Sequence, residues 1–212
     1  MVNQKILGAV KEARGSTKRN FKQSFDIAVN LKNIDMKKNE SKIKIEINVP
    51  HIPGNKAKIG IIVDSMATGF KDREDVKIIN KAELEKLGED RKLAKKTIKD
   101  CSYFIAEAPL MPLVGKSLGS ILAPRNMMPR PVPPSAKLDP IIEQAKRTIR
   151  VQLKESPVFH LGIGNEDMED EKIAENIFAA VERILSSLPK GKEQIKNIVV
   201  KTTMGKPVKY KV

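Results

Sequence analysis

The stretch Pro50-His51-Ile52-Pro53-Gly54 separates two different patterns of strand. Before it, apolar and polar residues alternate over 25–31 and again over 43–49, which is typical of strands with one wet face in an antiparallel sheet. After it, 59–63 is continuously apolar, as in a strand that is buried on both faces. Prolines and a glycine favour a bend between the two patterns. The sequence therefore predicts two sheets of different kinds.

The alternating pattern returns in the carboxyl-terminal part of the chain. It reappears at 158–161, and the apolar run 198–200 indicates a further buried strand. Two amphipathic helices, one near 4–14 and a clearer one over 173–188, are expected to cover one face of this sheet. Proline and glycine directly after the second helix predict its end.

The middle of the chain alternates apolar strands with charged helical segments. Strands are predicted over 76–79 and 102–106, with helices over 81–87 and 90–99. Strands without a polar face, joined through helices, indicate a parallel sheet that is covered on both sides.

These patterns predict an α/β protein with two domains. The first is a split two-layer α/β domain with an antiparallel sheet, made of residues 1–55 and 152–212. The second is an inserted three-layer Rossmann-like domain with a parallel sheet, residues 56–151. The chain would return to the first domain near 152–157, and two parallel connecting strands would form a hinge.

Positive charge is concentrated at the two chain ends. The formal net charge is +14 and the sequence pI about 9.8. Residues 1–22 hold six basic side chains against Glu12, and 190–212 hold seven lysines against Glu193. Such charge favours a phosphate-rich partner, most simply RNA. If the two ends pair in space, they form one positive face and leave the acidic helix start at 166–171 elsewhere.

Cysteine usage and the absence of targeting signals in this sequence indicate the cellular compartment of the protein. Residues 1–19 contain no continuous apolar core, and no apolar span has the length of a transmembrane helix. The single Cys101 cannot form an internal disulfide. We therefore expect a soluble cytoplasmic protein without a membrane partner.

Catalytic motifs are weak in this chain, so no enzyme and no cofactor are predicted. Two histidines and one cysteine nearly exclude a zinc site, and Cys101 opens an apolar strand as inert core would. The acidic cluster at 166–171 is favoured as a well-capped helix start over a metal site. The turn 64–69 leaves a phosphate cradle open, so the alternative is a small α/β nucleotide-binding enzyme.

The carboxyl-terminal tetrad Thr202-Thr203-Met204-Gly205 is the clearest binding motif. A glycine beside two hydroxyls and a flexible thioether would let another backbone come close. Lysines surround the tetrad, namely Lys201, Lys206, Lys209 and Lys211.

Two other stretches allow a structural and a functional interpretation. Phe21 precedes the first strand and either belongs to the core or shapes an RNA surface. The proline-rich run 124–134 is either a stiff loop between helices or a rigid carrier of phosphate contacts through Arg125 and Arg130.

Three segments together resemble the L-one family of large-subunit ribosomal proteins, which form the mobile side stalk, and its archaeal branch in particular. They are Phe21-Lys22-Gln23-Ser24-Phe25-Asp26, Leu118-Gly119-Ser120-Ile121-Leu122-Ala123-Pro124-Arg125 with Met128-Pro129, and Thr202-Thr203-Met204-Gly205. The resemblance covers essentially the whole chain. The sequence departs from it at Asn126, where many relatives have glycine, and at Lys206, which separates Gly205 from Pro207.

The resemblance implies a split domain that carries the RNA surface and an inserted Rossmann-like domain. On that surface it implies Phe21, Ser24, Asp26, Thr203, Met204 and Gly205, with His160 as a neighbour. It further implies a protein that is a monomer when free and part of the ribosome when bound. Its partners would be stalk-region ribosomal RNA, exit-site tRNA, whose release after deacylation it supports, and its own mRNA, whose translation it represses. A free repressor with no place in the ribosome is a third possibility.

Overall fold

The computed structural model describes residues 4–16, 19–34, 43–54, 58–64, 75–134, 138–153 and 156–210 of the chain. The chain divides into two compact units, and each has its own hydrophobic core. Unit 1 comprises Met1–Asn55 and Arg147–Val212, and unit 2 comprises Lys56–Lys146.

Strands and helices follow the predicted order, with several additions. The strands are β1 (Ser24–Leu31), β2 (Lys44–Asn48), β3 (Lys58–Ile62), β4 (Val76–Ile79), β5 (Cys101–Glu107), β6 (Arg130–Val132), β7 (Thr148–Gln152), β8 (Val158–Asn165), β9 (Ile195–Thr202) and β10 (Val208–Tyr210). The α-helices are α1 (Gln4–Gly15), α2 (Lys81–Glu89), α3 (Arg91–Lys99), α4 (Met111–Leu122), α5 (Leu138–Arg147) and α6 (Asp170–Ser187).

Unit 1 is built on a four-stranded antiparallel sheet in the order β10-β9-β1-β8. The alternation along β1 buries Phe25, Ile27 and Val29 on one face, because successive side chains of a strand point to opposite sides. Helices α1 and α6 pack against that face and contribute their apolar stripes to the same core. The other face of the sheet carries the polar residues of the alternation. The predicted split two-layer arrangement is confirmed.

A separate two-stranded ribbon pairs β2 with β7. These strands belong to the two chain segments that connect the units. The sequence predicts that such connecting strands are parallel. That expectation is wrong: the register runs antiparallel, from Lys44 opposite Gln152 to Asn48 opposite Thr148. The outgoing and returning chains run in opposite directions through the ribbon. Ile45 and Ile47 bury their side chains in the core of unit 1 although β2 does not join the four-stranded sheet.

The bend at 50–54 is fastened to the rest of unit 1. Asn176 of α6 is fully buried; its Oδ1 accepts from the His51 backbone N–H at 2.9 Å, and its Nδ2 donates to the His51 carbonyl at 3.0 Å. Asn165 donates to the Gly54 carbonyl at 2.7 Å. Gly54 has φ +63°, and a Cβ there would lie 2.7 Å from the Asn165 amide nitrogen, so glycine is required at this turn.

Unit 2 is a three-layer structure around a parallel sheet in the order β4-β3-β5-β6. Side chains of α2, α3 and α4 pack on one face of this sheet, and α5 packs on the other. Asp90 caps α3 by accepting hydrogen bonds from the backbone N–H groups of Lys92 and Leu93. The predicted α/β class, with one antiparallel and one parallel sheet, is confirmed.

The proline-rich run is more ordered than a loop between helices. The preceding residues 118–122 form the end of α4, and Arg130–Val132 form the edge strand β6. Asn126 adopts φ +57°, a left-handed conformation that asparagine tolerates, so the turn forms here without the glycine that the resemblance implies. Arg125 and Arg130 are both exposed.

Within the described ranges, no helix combines the length and the apolar character that a membrane crossing requires.

Candidate nucleic-acid interface

The start of β1 and the turn after β9 meet at one corner of the sheet in unit 1. The backbone N–H of Thr203 donates to the Ser24 carbonyl at 3.0 Å, and the backbone N–H of Ser24 donates to Thr203 Oγ1 at 3.0 Å. These reciprocal bonds continue the pairing of Phe25 with Thr202. They join residues from the two basic ends of the chain, so Ser24, Thr203 and Met204 lie on one side of the unit.

Two large apolar side chains are exposed near this corner. Phe21 is 51% exposed and Met204 is 54% exposed. A core role for Phe21, which the sequence left open, is therefore wrong. Because about half of each side chain is exposed in the free protein, both apolar surfaces are available to a partner.

Gly205 faces the protein rather than the solvent. A Cβ at this position would overlap with Thr202 Oγ1 and lie 2.5 Å from Ser16 Oγ. Ser16 in turn accepts a hydrogen bond from the backbone N–H of Lys206 at 3.3 Å and donates to the Ala13 carbonyl at 2.8 Å. The space that a side chain of Gly205 would occupy is thus filled by Thr202 at the end of β9 and by Ser16 directly after α1, so on this side the missing side chain serves packing within the protein.

Asp26 and His160 lie on the open face of the same sheet, one step inward from the corner. Together with Lys201 they line a shallow depression of about 460 Å³ whose floor includes Ala28 and Gly162. In the register, Asp26 is opposite Gly162 on β8 and Lys201 on β9. The small floor residues leave the acidic, imidazole and ammonium groups accessible from one side.

Burial raises the pKa of the Asp26 carboxyl above its ordinary value of 3.8, and the positive charges of Lys201 and His160 oppose that rise. The net direction shows that desolvation outweighs the attraction of the two neighbours. Asp26 therefore gains from any partner that offers hydrogen bonds to its oxygens.

Sequence reasoning missed a pair of hydrogen-bonded polar side chains next to the corner, the buried Gln23 and the partly exposed Glu166. Gln23 is fully buried, and its Nε2 donates to Glu166 Oε1 at 2.9 Å while its Oε1 accepts from the backbone N–H of Met204 at 3.0 Å. The second carboxylate oxygen of Glu166 accepts from the Gln23 backbone N–H at 3.0 Å. One available signal was the alternation itself, since residue 23 is in phase with the buried positions of β1.

The acidic start of α6 packs directly against the basic amino-terminal segment. Arg14 donates to Asp170 at 2.6 Å, to the Glu166 carbonyl at 2.7 Å and to the Met168 carbonyl at 2.5 Å. Lys22 forms an ion pair with Asp167 at 2.7 Å. The expectation that this acidic segment lies away from the basic ends is wrong, because Arg14 binds the Asp170 carboxylate and the carbonyls of Glu166 and Met168.

The lysines around the tetrad differ in exposure. Lys206 and Lys209 are exposed and Lys201 is partly buried on the open face, whereas Lys211 lies outside the described residues. Two hydroxyls in this region, Thr202 Oγ1 and Tyr210 Oη, are buried and have no hydrogen-bond partner among the residues that the structure describes.

The structure adds little support to the features that favoured an enzyme. Cys101 is buried in β5, and burial raises the pKa of its thiol, against a lowering effect of Lys77. The turn 64–69 lies outside the described residues except for Asp64. Within the described part of the chain, no three histidine, cysteine or acidic side chains come together as metal ligands would.

Comparison with known proteins places this geometry in a family. A model of the Ribosomal protein L1p/L10e family matches residues 10–206. The chain is 48% identical over 210 residues to the large ribosomal subunit protein uL1 of Pyrococcus abyssi, covering 98% of this chain and 96% of the relative. It is 46% identical over 208 residues to uL1 of Pyrococcus horikoshii (97% and 95%). It is also 46% identical over 206 residues to uL1 of Methanobrevibacter smithii (96% and 97%).

These matches extend over all three segments on which the resemblance rested, and the relatives are archaeal, as that resemblance implied. The chain belongs to the ribosomal protein L1p/L10e family.

Proposed function

We propose that the protein is a structural constituent of the large ribosomal subunit and binds the stalk region of ribosomal RNA through the corner of unit 1. The observation that carries this proposal is the pair of reciprocal hydrogen bonds between Ser24 and Thr203, which joins the two basic ends of the chain. Membership of a ribosomal protein family supports it. In this role the protein is not an enzyme, works in the cytoplasm, and is a monomer when free.

The corner and the open face suit the shallow groove of an RNA helix. A-form RNA hides its base edges in the deep groove and displays 2′-hydroxyls in the shallow one. Asp26 and His160 on the open face offer acceptors and donors to such hydroxyls, and Ser24 adds a hydroxyl at the edge. Phe21 and Met204 supply apolar surface for ribose or base contact.

Lysines supply the long-range attraction. Lys201, Lys206 and Lys209 lie in the same carboxyl-terminal segment as the corner. If about six phosphates are neutralised, the logarithm of the association constant falls with the logarithm of the salt concentration at a slope of roughly −4 to −5.

A matched pair of substitutions tests the RNA surface. Phe21 and Leu93 are almost equally exposed, at 51% and 53%, but Leu93 lies on α3 of unit 2. We expect Phe21→Ala to weaken binding of a stalk-region RNA fragment at least tenfold, as is usual for a stacking residue, with an unchanged melting temperature. Leu93→Ala should bind like the wild type. Wild-type affinity of Phe21→Ala in a filter-binding titration would refute the proposal.

The same corner is proposed to bind the protein's own mRNA and so to repress its translation. The two RNAs would then share the corner of unit 1, and one site can hold only one of them at a time. Unlabelled stalk RNA should then displace a labelled leader fragment of the messenger in direct competition. A free repressor with no ribosomal place would instead fail to sediment with large subunits.

Unit 2 carries a second basic surface that supports a role in the release of deacylated tRNA from the exit site. The exposed side of α3 presents five basic side chains and no acidic one: Arg91, Lys92, Lys95, Lys96 and Lys99. Lys95→Gln with Lys96→Gln should alter the rate of tRNA dissociation from ribosomes while the affinity for stalk RNA stays the same. Unchanged tRNA dissociation would exclude this face.

A further inference from the structure

The turn that follows β9 depends on one buried amide. The backbone N–H of Met204 donates to Gln23 Oε1 at 3.0 Å. Gln23 itself is 0% exposed, although it lies only two residues from the half-exposed Phe21. A hydrogen bond from a turn N–H to a buried amide restricts the orientation of that turn, since breaking it removes a partner of the buried Gln23 oxygen.

The other end of the amide is held by Glu166. Gln23 Nε2 donates to Glu166 Oε1 at 2.9 Å, and the Gln23 backbone N–H donates to Glu166 Oε2 at 3.0 Å. The backbone N–H of Glu166 returns a bond to the Gln23 carbonyl at 3.0 Å. A carboxylate only accepts and a backbone N–H only donates, so the amide orientation is determined by its two neighbours.

Glu166 is in turn fixed by α1. Arg14 donates to the Glu166 carbonyl at 2.7 Å and to the Met168 carbonyl at 2.5 Å, and its guanidinium lies 5.3 Å from the centre of the Phe25 ring. The acidic turn is thereby anchored to the core of the sheet. A continuous set of contacts leads from α1 through Glu166 and Gln23 to Met204.

We propose that Gln23 and Glu166 are positioning residues for RNA recognition, which set the orientation of the turn at Thr203–Gly205 without touching the RNA. This inference rests on the proposed function, because it concerns the same corner. The neutral amide of Gln23 can at once donate to the Glu166 carboxylate and accept from the Met204 N–H, whereas an ionised carboxylate at this position could not donate. A carboxylate at position 23 would repel Glu166, and an apolar side chain would offer no hydrogen bond to Glu166 Oε1 or to the Met204 N–H.

An exchange of the two side chains separates positioning from general stability. In Gln23→Glu, two carboxylates face each other, and we expect the affinity for stalk RNA to fall about tenfold or more. In Gln23→Glu with Glu166→Gln, residue 166 donates to residue 23, which still accepts from Met204. The affinity of this double variant should return to within about threefold of the wild type. If the exchange rescues nothing, the inference is wrong.

Amide exchange of Met204 in the free protein gives a second readout that needs no RNA. We expect the Met204 N–H to be protected in the wild type and to lose at least tenfold of its protection in Gln23→Met, which lacks the acceptor. Unchanged protection would overturn the inference even where affinity falls for another reason.

Gln194 provides the matched control. It is another buried glutamine of unit 1, 6% exposed, and its Oε1 accepts from the Lys190 backbone N–H at 3.1 Å, just before β9 begins. Gln194→Met should lower stability as Gln23→Met does but leave RNA affinity unchanged; an equal loss of affinity would contradict a specific role of Gln23. Phe21→Ala belongs in the same titrations. If Phe21→Ala is weakened but Gln23→Glu is not, only the positioning inference fails, whereas wild-type binding by Phe21→Ala removes the proposed function itself.

Discussion

Replacing Gly205 with alanine tests how the turn after β9 packs on Ser16, directly after α1. The new Cβ would overlap with Thr202 Oγ1 and lie 2.5 Å from Ser16 Oγ, although real Cβ atoms essentially never come within 3.0 Å of such a neighbour. Moving Ser16 Oγ away disrupts its hydrogen bonds with Ala13 and Lys206. Overpacking costs about 1–3 kcal/mol and a lost hydrogen bond about 1 kcal/mol, so we expect a destabilisation of about 2–4 kcal/mol.

Thermal unfolding followed by circular dichroism measures this loss. At about 2–4 °C per kcal/mol for a chain of this size, the melting temperature of unit 1 should fall by about 4–16 °C. Gly8→Ala is the control, because Gly8 lies inside α1 with no atom within 4 Å of its added Cβ. That substitution should stabilise the protein by up to about 1 kcal/mol, since alanine favours the helix. A Gly205→Ala protein that melts like the wild type would refute the packing argument.

Other substitutions address single groups of unit 1. Asp26→Asn should stabilise the protein at pH 7. Burial raises the pKa of Asp26, so the wild-type protein loses stability as the pH rises through 3.8 toward the raised pKa. In urea titrations, the stability gained by Asp26→Asn should therefore vanish below pH 3.8. Equal gains at both pH values would contradict it. Tyr210→Phe removes a buried hydroxyl that has no partner among the described residues, so the melting temperature should stay the same or rise. Asn176→Ala removes both hydrogen bonds to the His51 backbone and should lower the free energy of unfolding by about 2–3 kcal/mol in denaturant titrations. A decrease below about 0.5 kcal/mol would show that the bend at 50–54 does not depend on Asn176.

The sequence predicted the elements whose burial follows a regular period. The alternation of Phe25, Ile27 and Val29 identified β1 and its buried face, and the continuous apolar run after residue 58 identified the parallel sheet. It could not show that β2 pairs with β7 in a ribbon, because a strand with one buried face has the same period in either sheet. The helix α4 was overlooked because Pro112 and two glycines weaken its helical signal.

Part of the candidate site was accessible from sequence, mainly through resemblance. Ser24 and Thr203 come together as the pairing of the chain ends requires. The Gln23–Glu166 pair was missed because its partners are 143 residues apart and carry no local pattern. The packing around Gly205 could not be predicted for a related reason, since other segments of the chain determine what fills the space beside a glycine.

The strand order of unit 1 has a consequence for biosynthesis. The amino-terminal strand β1 has both of its neighbours, β8 and β9, more than a hundred residues downstream. While the chain is being translated, both edges of β1 thus lack their native partners until the last quarter has emerged, whereas unit 2 is continuous in sequence and complete well before then. The corner where Ser24 meets Thr203 cannot assemble before residue 203 has emerged, so a shorter nascent chain lacks the surface that we propose for RNA binding.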